Sequence, residues 1–341
     1  MPRKELPPHL LKQYQQHAPQ IAKVFLESVQ DVKDSVVVAD LIAAIESGDS
    51  ARVMAALNLK NEFFDRFIDS IFSTFTGAGR TLIDGIPGKE LGIRFDSRSR
   101  TAETWIATRS SDLITEIVSS QRDAVRVVLE AGMQAGRGPR STALDIVGRI
   151  NPASKRRQGG ILGLTENQSG YVLRARQQLS SGDPMQLRAY LGRELRDRRF
   201  DGIVRKAISA EKPVSVSDID KIAGRYSDRL LKWRGDAIAR TETIAALNAG
   251  RDEAISQVID KGEVPERSVT KRWRATGGPR TRDTHAEMDG QEVQRNEPFS
   301  SPSGAALMYP GDTSLGAPAE EIIHCLCYAE FRIDYLGLIN G

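Results

Sequence analysis

Apolar residues recur every three or four positions through the first two-thirds of the chain, which is the spacing of one face of an α-helix. Residues 9–75 and 94–132 carry this pattern most clearly. Residues 269–276 alternate instead, which predicts a β-strand. One face of that strand holds Val269, Lys271, Trp273 and Ala275. The pattern therefore predicts a mainly α protein, with a helical N-terminal two-thirds and a small C-terminal α+β module.

Glycine, proline and capping residues divide the helical part. Thr76–Gly88 has four glycines and one proline, which predicts a break. Thr165 followed by Gln168 has the spacing of a capping box. We expect the longest helical region at 94–132, and an amphipathic helix at about 236–259 that is separate from the one before it.

These breaks predict four parts. They are an N-terminal helical region at 1–88, a helical and basic middle region at 89–235, a C-terminal module at 236–335 and a tail at 336–341. The first region contains an aromatic-rich stripe that includes Phe64, Phe67 and Ile71. Packing between helices is the favoured interpretation of this stripe, and a surface that faces a partner is the alternative.

Composition excludes several classes of protein. No stretch approaches the roughly 20 apolar residues of a membrane helix. The N-terminus lacks the apolar core of a signal peptide, so none is expected. The two cysteines stand one residue apart, which excludes a disulfide framework and fits a reducing compartment.

Basic side chains concentrate in the middle of the chain. The net charge is +3, but residues 137–206 alone hold 15 basic and 6 acidic side chains, a balance of +9. Such a segment is expected to contact a polyanion or an acidic protein surface, or to be a solvated face. If the polyanion is double-stranded DNA, binding would be independent of sequence. The candidate DNA-binding residues are Lys155, Arg156, Arg157, Arg174 and Arg176.

The helix at 236–259 carries polar residues beside its apolar face. A polar group near a core costs about 1–3 kcal/mol unless it is hydrogen-bonded. Arg240, Glu242 and Asn248 are therefore candidates for a structural polar network that holds this helix to the C-terminal module. Ordinary surface positions are the alternative.

The last third also gathers the residue types that bind zinc. His285, His324, Cys325 and Cys327 supply imidazole and thiol groups. Adjacent His324 and Cys325 would point to opposite faces of a strand. The favoured ligand set is therefore His285, Cys325 and Cys327, with His324 or Asp289 as the fourth ligand.

Two other interpretations of these residues stay open. In the favoured interpretation, the cysteines are ordinary buried apolar residues and His285 caps a turn, with no metal. Alternatively the site could be catalytic. His285 with Asp283 and Asp289 could hold a metal for phosphodiester hydrolysis, and Cys325 with His285 could be a thiol nucleophile and its base.

A series of short motifs in the last third resembles a known family. They are ARTET…NAGR at 239–251, KRW-AT at 271–276, RTRD-H–MDGQ at 280–291, EPF at 297–299, PGD at 310–312, GAPAEEII at 316–323 and HCLC at 324–327. In content, order and spacing they resemble the Mu F-like phage head morphogenesis proteins, also called minor capsid or minor head proteins. The family's last motif has a basic residue between the cysteines, where this chain has Leu326.

The resemblance implies a virion protein without catalytic activity. It implies association with the portal protein and with the major capsid or scaffolding protein, inside the capsid or at the portal vertex. It also implies a role in procapsid assembly and in DNA packaging or delivery, after synthesis in the host cytoplasm, and no membrane in the assembled head. A metal-dependent nuclease, or another phosphodiester-acting enzyme of phage origin, is the alternative function.

Overall fold

A computed structural model describes residues 5–86, 93–278 and 281–334. The protein is mainly α, as the sequence predicts. The α-helices are α1 (Pro8–Ser35), α2 (Val38–Glu46), α3 (Ser50–Ala56), α4 (Asp65–Gly85), α5 (Arg100–Gln134), α6 (Pro139–Val147), α7 (Glu166–Ser180), α8 (Pro184–Leu191), α9 (Asp201–Ala210), α10 (Val216–Asp260), α11 (Asp283–Glu287) and α12 (Ala319–Ile322). None of the described helices is long and apolar enough to span a membrane.

Short strands pair in three small sheets. β1 (Arg149–Ile150) and β2 (Arg157–Gln158) form a hairpin, and β5 (Phe299–Ser300) pairs with β6 (Ala306–Leu307). The largest sheet has the antiparallel order β4-β3-β7, from β3 (Val269–Arg274), β4 (Glu292–Gln294) and β7 (Tyr328–Ile333). Trp273 of β3 lies opposite Ala329 of β7.

The strand predicted at 269–276 is confirmed, together with its faces. Val269, Lys271 and Trp273 are buried and the residues between them are half-buried, which is the alternation that the pattern predicts. The segment EIIHCLCYAEFRI at 321–333 also predicts a final strand, and that prediction is only partly correct. It begins at Tyr328, because Ala319–Ile322 folds into α12 and the residues up to Cys327 form an irregular connection.

Two predictions about helix boundaries are wrong. Residues 76–85 do not break a helix but form the last turns of α4. Gly79 has a packing reason to be there, since a Cβ at this position would lie 2.3 Å from the ring of Phe95. Pro87 and Gly88 of the predicted break lie outside the described residues.

The second error concerns the longest helix. Residues 216–260 form one 45-residue helix, α10, where two helices were predicted, and it exceeds the 35 residues of α5. Gly235 does not interrupt α10, since a single glycine inside a helix costs only about 1 kcal/mol. The capping box at Thr165 and Gln168 is present at the start of α7.

The chain forms two compact units, each built from separate stretches. Unit 1 contains residues 1–24, 66–110 and 236–341, and unit 2 contains residues 25–65 and 111–235. Helices α1, α4, α5 and α10 contribute residues to both. Of the four predicted parts, the tail at 336–341 and the boundary at 88/89 lie outside the described residues. Phe64, Phe67 and Ile71 are 0% exposed, which supports packing inside the fold rather than a partner-facing stripe.

Candidate metal centre

Three buried side chains from two distant parts of unit 1 converge on one point. His285 comes from α11, and Cys325 and Cys327 come from the connection between α12 and β7. Their ligand atoms all lie within 4.8 Å of one another. The three residues are only 1–3% exposed. The structure therefore brings together the three ligands that the sequence favours.

The distances within the cluster are short and symmetric. His285 Nδ1 lies 3.5 Å from Cys325 Sγ and 3.5 Å from Cys327 Sγ. The backbone N–H of Cys327 donates to Cys325 Sγ at 3.3 Å. A single imidazole nitrogen thus faces two sulfur atoms at equal distance.

A buried carboxylate orients the imidazole from the other side. Glu321 Oε2 lies 2.7 Å from His285 Nε2, and the hydroxyl of Ser301 donates to Glu321 Oε1 at 3.2 Å. The carboxylate accepts the Nε2 proton, so it leaves the Nδ1 lone pair toward the sulfurs. The ring also packs edge-on against the fully buried indole of Trp273, with ring centres 5.1 Å apart.

Hydrogen bonds, charges and burial shift the pKa of each of the three groups in the cluster. Burial alone would lower the pKa of His285, but its hydrogen bond with Cys325 and the charges of Cys325 and Glu321 raise that pKa above its ordinary value. The hydrogen bond with Cys327 holds the pKa of Cys325 well below its usual range. The same hydrogen bond, with burial, raises the pKa of Cys327 well above its usual range.

Helix α10 holds the cysteine segment in place. The side-chain amide of Asn248 donates to the backbone carbonyls of Pro310 and Cys327, and its oxygen accepts from the N–H of Ala329. Arg251 Nη1 donates to the carbonyl of Ala329 at 2.7 Å. These bonds fix the backbone at Cys327 and at Ala329, two residues later.

The other two members of the predicted polar network make different contacts. Glu242 forms a bidentate ion pair with Arg109 of α5, at 2.6 and 2.8 Å. Arg240 lines a cavity of about 450 Å³ beside the cluster, together with Arg282, Tyr14 and the three cluster residues. The hydrogen bonds from α10 to the β7 segment therefore come from Asn248, which the predicted network includes, and from Arg251, which it does not.

His324 and Asp289, the predicted fourth ligands, lie outside the cluster. Within the described chain, the group of metal-ligating atoms contains only His285, Cys325 and Cys327. Asp289 Oδ1 instead accepts from the backbone N–H of Ala275 at 3.0 Å. His324 stands in a left-handed turn, with φ of 62°.

Asp283 and Asp289, the predicted carboxylate ligands of a catalytic metal, do not group with His285 in the described part of the chain. Asp283 is exposed at the start of α11, and Asp289 caps the end of β3. The set of His285, Asp283 and Asp289 does not form a metal-ligating group in the described part of the chain. This arrangement gives no support to the nuclease alternative.

The candidate DNA-binding residues belong to unit 2, and they differ in solvent exposure and in the contacts that they already make. Lys155 and Arg156 are exposed in the loop of the β1–β2 hairpin, and Arg174 is exposed with its guanidinium 5.1 Å from the ring centre of Tyr171. Arg157 donates to the carbonyl of Gly148. Arg176 lies 2.7 Å from both Asp145 and Asp220, so its guanidinium is already engaged in ion pairs.

Glu321 was missed from the sequence. The sequence feature that could have identified Glu321 is a carboxylate four residues before Cys325, in the stretch GAPAEEII. Glu320 and Glu321 are adjacent and only the second is buried, so periodicity alone does not separate them. The pairing with His285 depends on a contact between residues 36 positions apart.

One family model matches the chain. Residues 216–330 match the family described as Phage Mu protein F like protein, so the match covers 115 of 341 residues. It contains the whole of α10, strands β3 and β4, the first half of β7 and the candidate metal centre. The resemblance predicted from the motifs is thereby confirmed, and it supports a phage head morphogenesis protein that associates with the virion. Neither a curated protein nor a solved structure matches the chain.

Proposed function

We propose that this chain, whose residues 216–330 match the Phage Mu F-like family, is a minor head protein that acts in procapsid assembly with the portal and in packaging or delivery of DNA. The family match is the observation that carries this proposal. Its partners are the portal protein and the major capsid or scaffolding protein, and its place is the capsid interior or the portal vertex.

The fold of the matched region supports a structural role. In the second half of α10, every residue from Thr241 to Arg251 is buried. Asn248 and Arg251 satisfy their hydrogen bonds on the backbone of the β7 segment, so this part of the helix is a scaffold for the small sheet. A rigid module of this kind suits a protein that docks into a larger assembly.

A structural role also fits the candidate metal centre. The cluster contains two thiols, and no carboxylate stands among its ligand atoms in the described residues. Hydrolysis of phosphodiesters by metal ions generally uses oxygen ligands that leave open positions on Mg²⁺ or a similar ion. Thiolate and imidazole ligands favour zinc instead, and zinc with thiolate ligands is common in structural sites.

Contact with DNA is the second element of the proposal. The hairpin loop of unit 2 exposes Lys155 and Arg156, and Lys155 adopts a left-handed backbone conformation with φ of 58° at the end of the loop. Exposed cations on a loop can approach phosphates closely, and such contacts position a protein without reading sequence. The excess charge of residues 137–206 would supply the longer-range attraction.

The experiment that tests this proposal is a complementation assay of head assembly. The head-gene cluster that encodes the chain is expressed with and without it, and particles are separated by sedimentation and viewed by electron microscopy. We expect loss of the chain to reduce the yield of DNA-filled heads, and supply of the chain from a plasmid to restore it. Equal yields and equal DNA content without the chain would contradict the proposal.

A further inference from the structure

We propose that His285, Cys325 and Cys327 bind one Zn²⁺ ion through Nδ1 and the two Sγ atoms, with Glu321 as the residue that positions His285. The inference rests on the geometry of the cluster and is independent of the proposed role in head assembly. Four features of the cluster support a zinc site: the distances, the hydrogen-bonding capacity of the imidazole, the carboxylate partner and the surrounding cavity.

The spacing of the ligand atoms fits a tetrahedral zinc site. Zinc binds histidine nitrogen at about 2.0 Å and thiolate sulfur at about 2.3 Å, so at a tetrahedral angle the two atoms lie about 3.5 Å apart. His285 Nδ1 is 3.5 Å from each of the two sulfurs. Both nitrogen-to-sulfur edges of the tetrahedron therefore have the required length.

Hydrogen bonding alone accounts poorly for this arrangement. An imidazole nitrogen carries at most one proton, so His285 Nδ1 can form a well-aligned hydrogen bond with one sulfur, not with both. Its Nε2 is already engaged by Glu321 at 2.7 Å. A cation placed between Nδ1 and the two sulfurs satisfies all three atoms at once.

The partner of His285 has the geometry found around metal-bound histidines. Such histidines donate their other ring N–H to a carboxylate, a carbonyl or water, which fixes the tautomer and strengthens the ligand. Here the partner is the carboxylate of Glu321, which is 3% exposed and held by Ser301. The N–H of Cys327 that donates to Cys325 Sγ provides the matching support for a thiolate.

Charge and access are also compatible with zinc. Two thiolates and one Zn²⁺ sum to zero, which lowers the cost of burying the ligands. The three ligands line a cavity of about 450 Å³, so a water molecule can complete the coordination as the fourth ligand. Soft sulfur ligands with imidazole favour zinc over magnesium or calcium.

The site would connect parts of the chain that share little core. The segment between α11 and β7 contains only two- and three-residue strands and the four-residue α12. A zinc ion would join His285 to Cys325 and Cys327 across 40 and 42 positions of sequence. Metal binding that depends on the folded arrangement stabilises that arrangement.

The first test measures metal content in the full chain. The protein is purified without a histidine tag and without chelators, incubated with zinc, desalted and analysed by mass spectrometry for bound metals. We expect about one zinc per chain. His285→Gln should lose the zinc, whereas the matched variant His324→Gln, which removes a histidine outside the cluster, should retain it. A wild-type content below about one-tenth of an equivalent, on the same single-site expectation, or loss from both variants alike, would overturn the proposal.

A cobalt measurement keeps the proposal testable if a ligand variant does not fold. Co²⁺ bound by thiolate gives a sulfur-to-metal charge-transfer band, and the chain has only two cysteines, so this band would report on Cys325 and Cys327. We expect the wild type to show that band, with the strong visible absorption of a tetrahedral ion. Absence of the charge-transfer band in cobalt-loaded protein would overturn the assignment of the cysteines as ligands.

The role of Glu321 has its own matched pair of variants. Glu321→Gln should weaken zinc binding by about 10- to 100-fold. The reason is that a neutral amide is a weaker acceptor for the Nε2 proton than a charged carboxylate. Glu320→Gln changes the adjacent, exposed carboxylate and should leave the affinity unchanged. Competition with a chromophoric chelator measures both affinities. Equal affinities for the two variants would contradict a positioning role for Glu321.

Discussion

The side-chain amide of Asn248 donates a hydrogen bond to the backbone carbonyl of Cys327, 3.2 Å away and 79 positions later in the chain. Asn248 is 2% exposed. Through this bond, α10 holds the second cysteine of the candidate metal centre. The same side chain also contacts Pro310 and Ala329, so one amide organises three parts of the backbone.

Replacement of Asn248 by leucine should destabilise the protein by about 2–4 kcal/mol, because it leaves buried carbonyl and N–H groups without a partner. Urea denaturation of the purified chain measures the free energy of unfolding. Asp260→Asn, at the exposed end of the same helix, is the control and should change stability by less than about 0.5 kcal/mol. A small effect of Asn248→Leu would show that water or a local shift replaces these bonds.

Gly250 marks a close approach of α10 to α4. A Cβ at this position would lie 2.1 Å from the backbone oxygen of Phe75, and a backbone atom cannot move aside as a flexible side chain can. Gly250→Ala should therefore destabilise the protein by about 1–3 kcal/mol or more.

The matched glycine is Gly202 of α9, where an added Cβ meets nothing within 4 Å. Gly202→Ala should stabilise the protein by about 0.5–1 kcal/mol, because alanine is the better helix former. Thermal unfolding of the two variants gives the comparison. Similar melting temperatures for both would contradict the close packing of α10 on α4.

Lys33 predicts a pH dependence of stability. Its amine is buried and donates to the carbonyl of Gly159 at 2.8 Å. Burial lowers the pKa of Lys33 from 10.5 to about 8, and the charges of Asp228 and Asp34 only partly offset this. Between these two pH values the unfolded chain binds more protons than the folded chain. The free energy of unfolding should therefore rise with pH in that window, by up to about 3 kcal/mol.

A variant isolates this contribution from other groups. Lys33→Met should lose most of the rise between pH 8 and pH 10.5, the window set by the pKa of Lys33. Lys23→Met changes an exposed lysine on the same helix and should keep the wild-type profile. Denaturation curves at several pH values provide the measurement. Parallel profiles for the wild type and Lys33→Met would show that Lys33 stays charged through the window.

The proposed DNA contact predicts a defined salt dependence. Lys155→Ala combined with Arg156→Ala should weaken binding to double-stranded DNA and reduce the slope of log affinity against log salt by up to about 2. Arg52→Ala with Lys60→Ala removes the same charge from other exposed positions and is the matched control. Fluorescence anisotropy with unrelated DNA sequences provides the data. Equal losses of affinity in both double variants would assign the effect to net charge alone. If the wild type does not bind DNA at low salt, the proposed DNA contact is wrong.

Sequence patterns that depend only on neighbouring residues predict the structure correctly. Thr165 and Gln168 form their capping box, and the alternation from Val269 places Lys271 and Trp273 on the buried face. The burial of Lys271 shows the limit of such patterns. Its amine reaches the carbonyl of Met308 at 2.8 Å, a partner that the strand pattern does not reveal.

The incorrect boundaries involve contacts between distant segments. Gly77, Gly79 and Gly85 look like a helix break in sequence, but they lie in α4, where Gly79 leaves room for the ring of Phe95. The single course of α10 through Gly235 likewise follows from packing, since the ring of Phe25 and the side chain of Leu26 lie beside that glycine. Propensity is a weak prior, and tertiary contacts of this kind override it.

The sequence predicts which residues could bind the metal, but it does not predict how they are arranged in space. Residue chemistry selected His285, Cys325 and Cys327, and the structure brings them together. The contact of Glu321 with His285 and the position of Asp289 outside the cluster depend on how α11 and α12 fold around the cysteines. These relations join residues far apart in sequence, so no local pattern contains them.

The central claim is that the chain is a minor component of the phage head, and the amount of the chain in purified procapsids tests it most directly. Quantitative mass spectrometry gives its ratio to the portal protein and to the major capsid protein. We predict that the chain co-purifies with procapsids in a fixed ratio to the portal and far below the major capsid protein. Absence of the chain from both procapsids and mature heads, in cells that express it, would contradict the account.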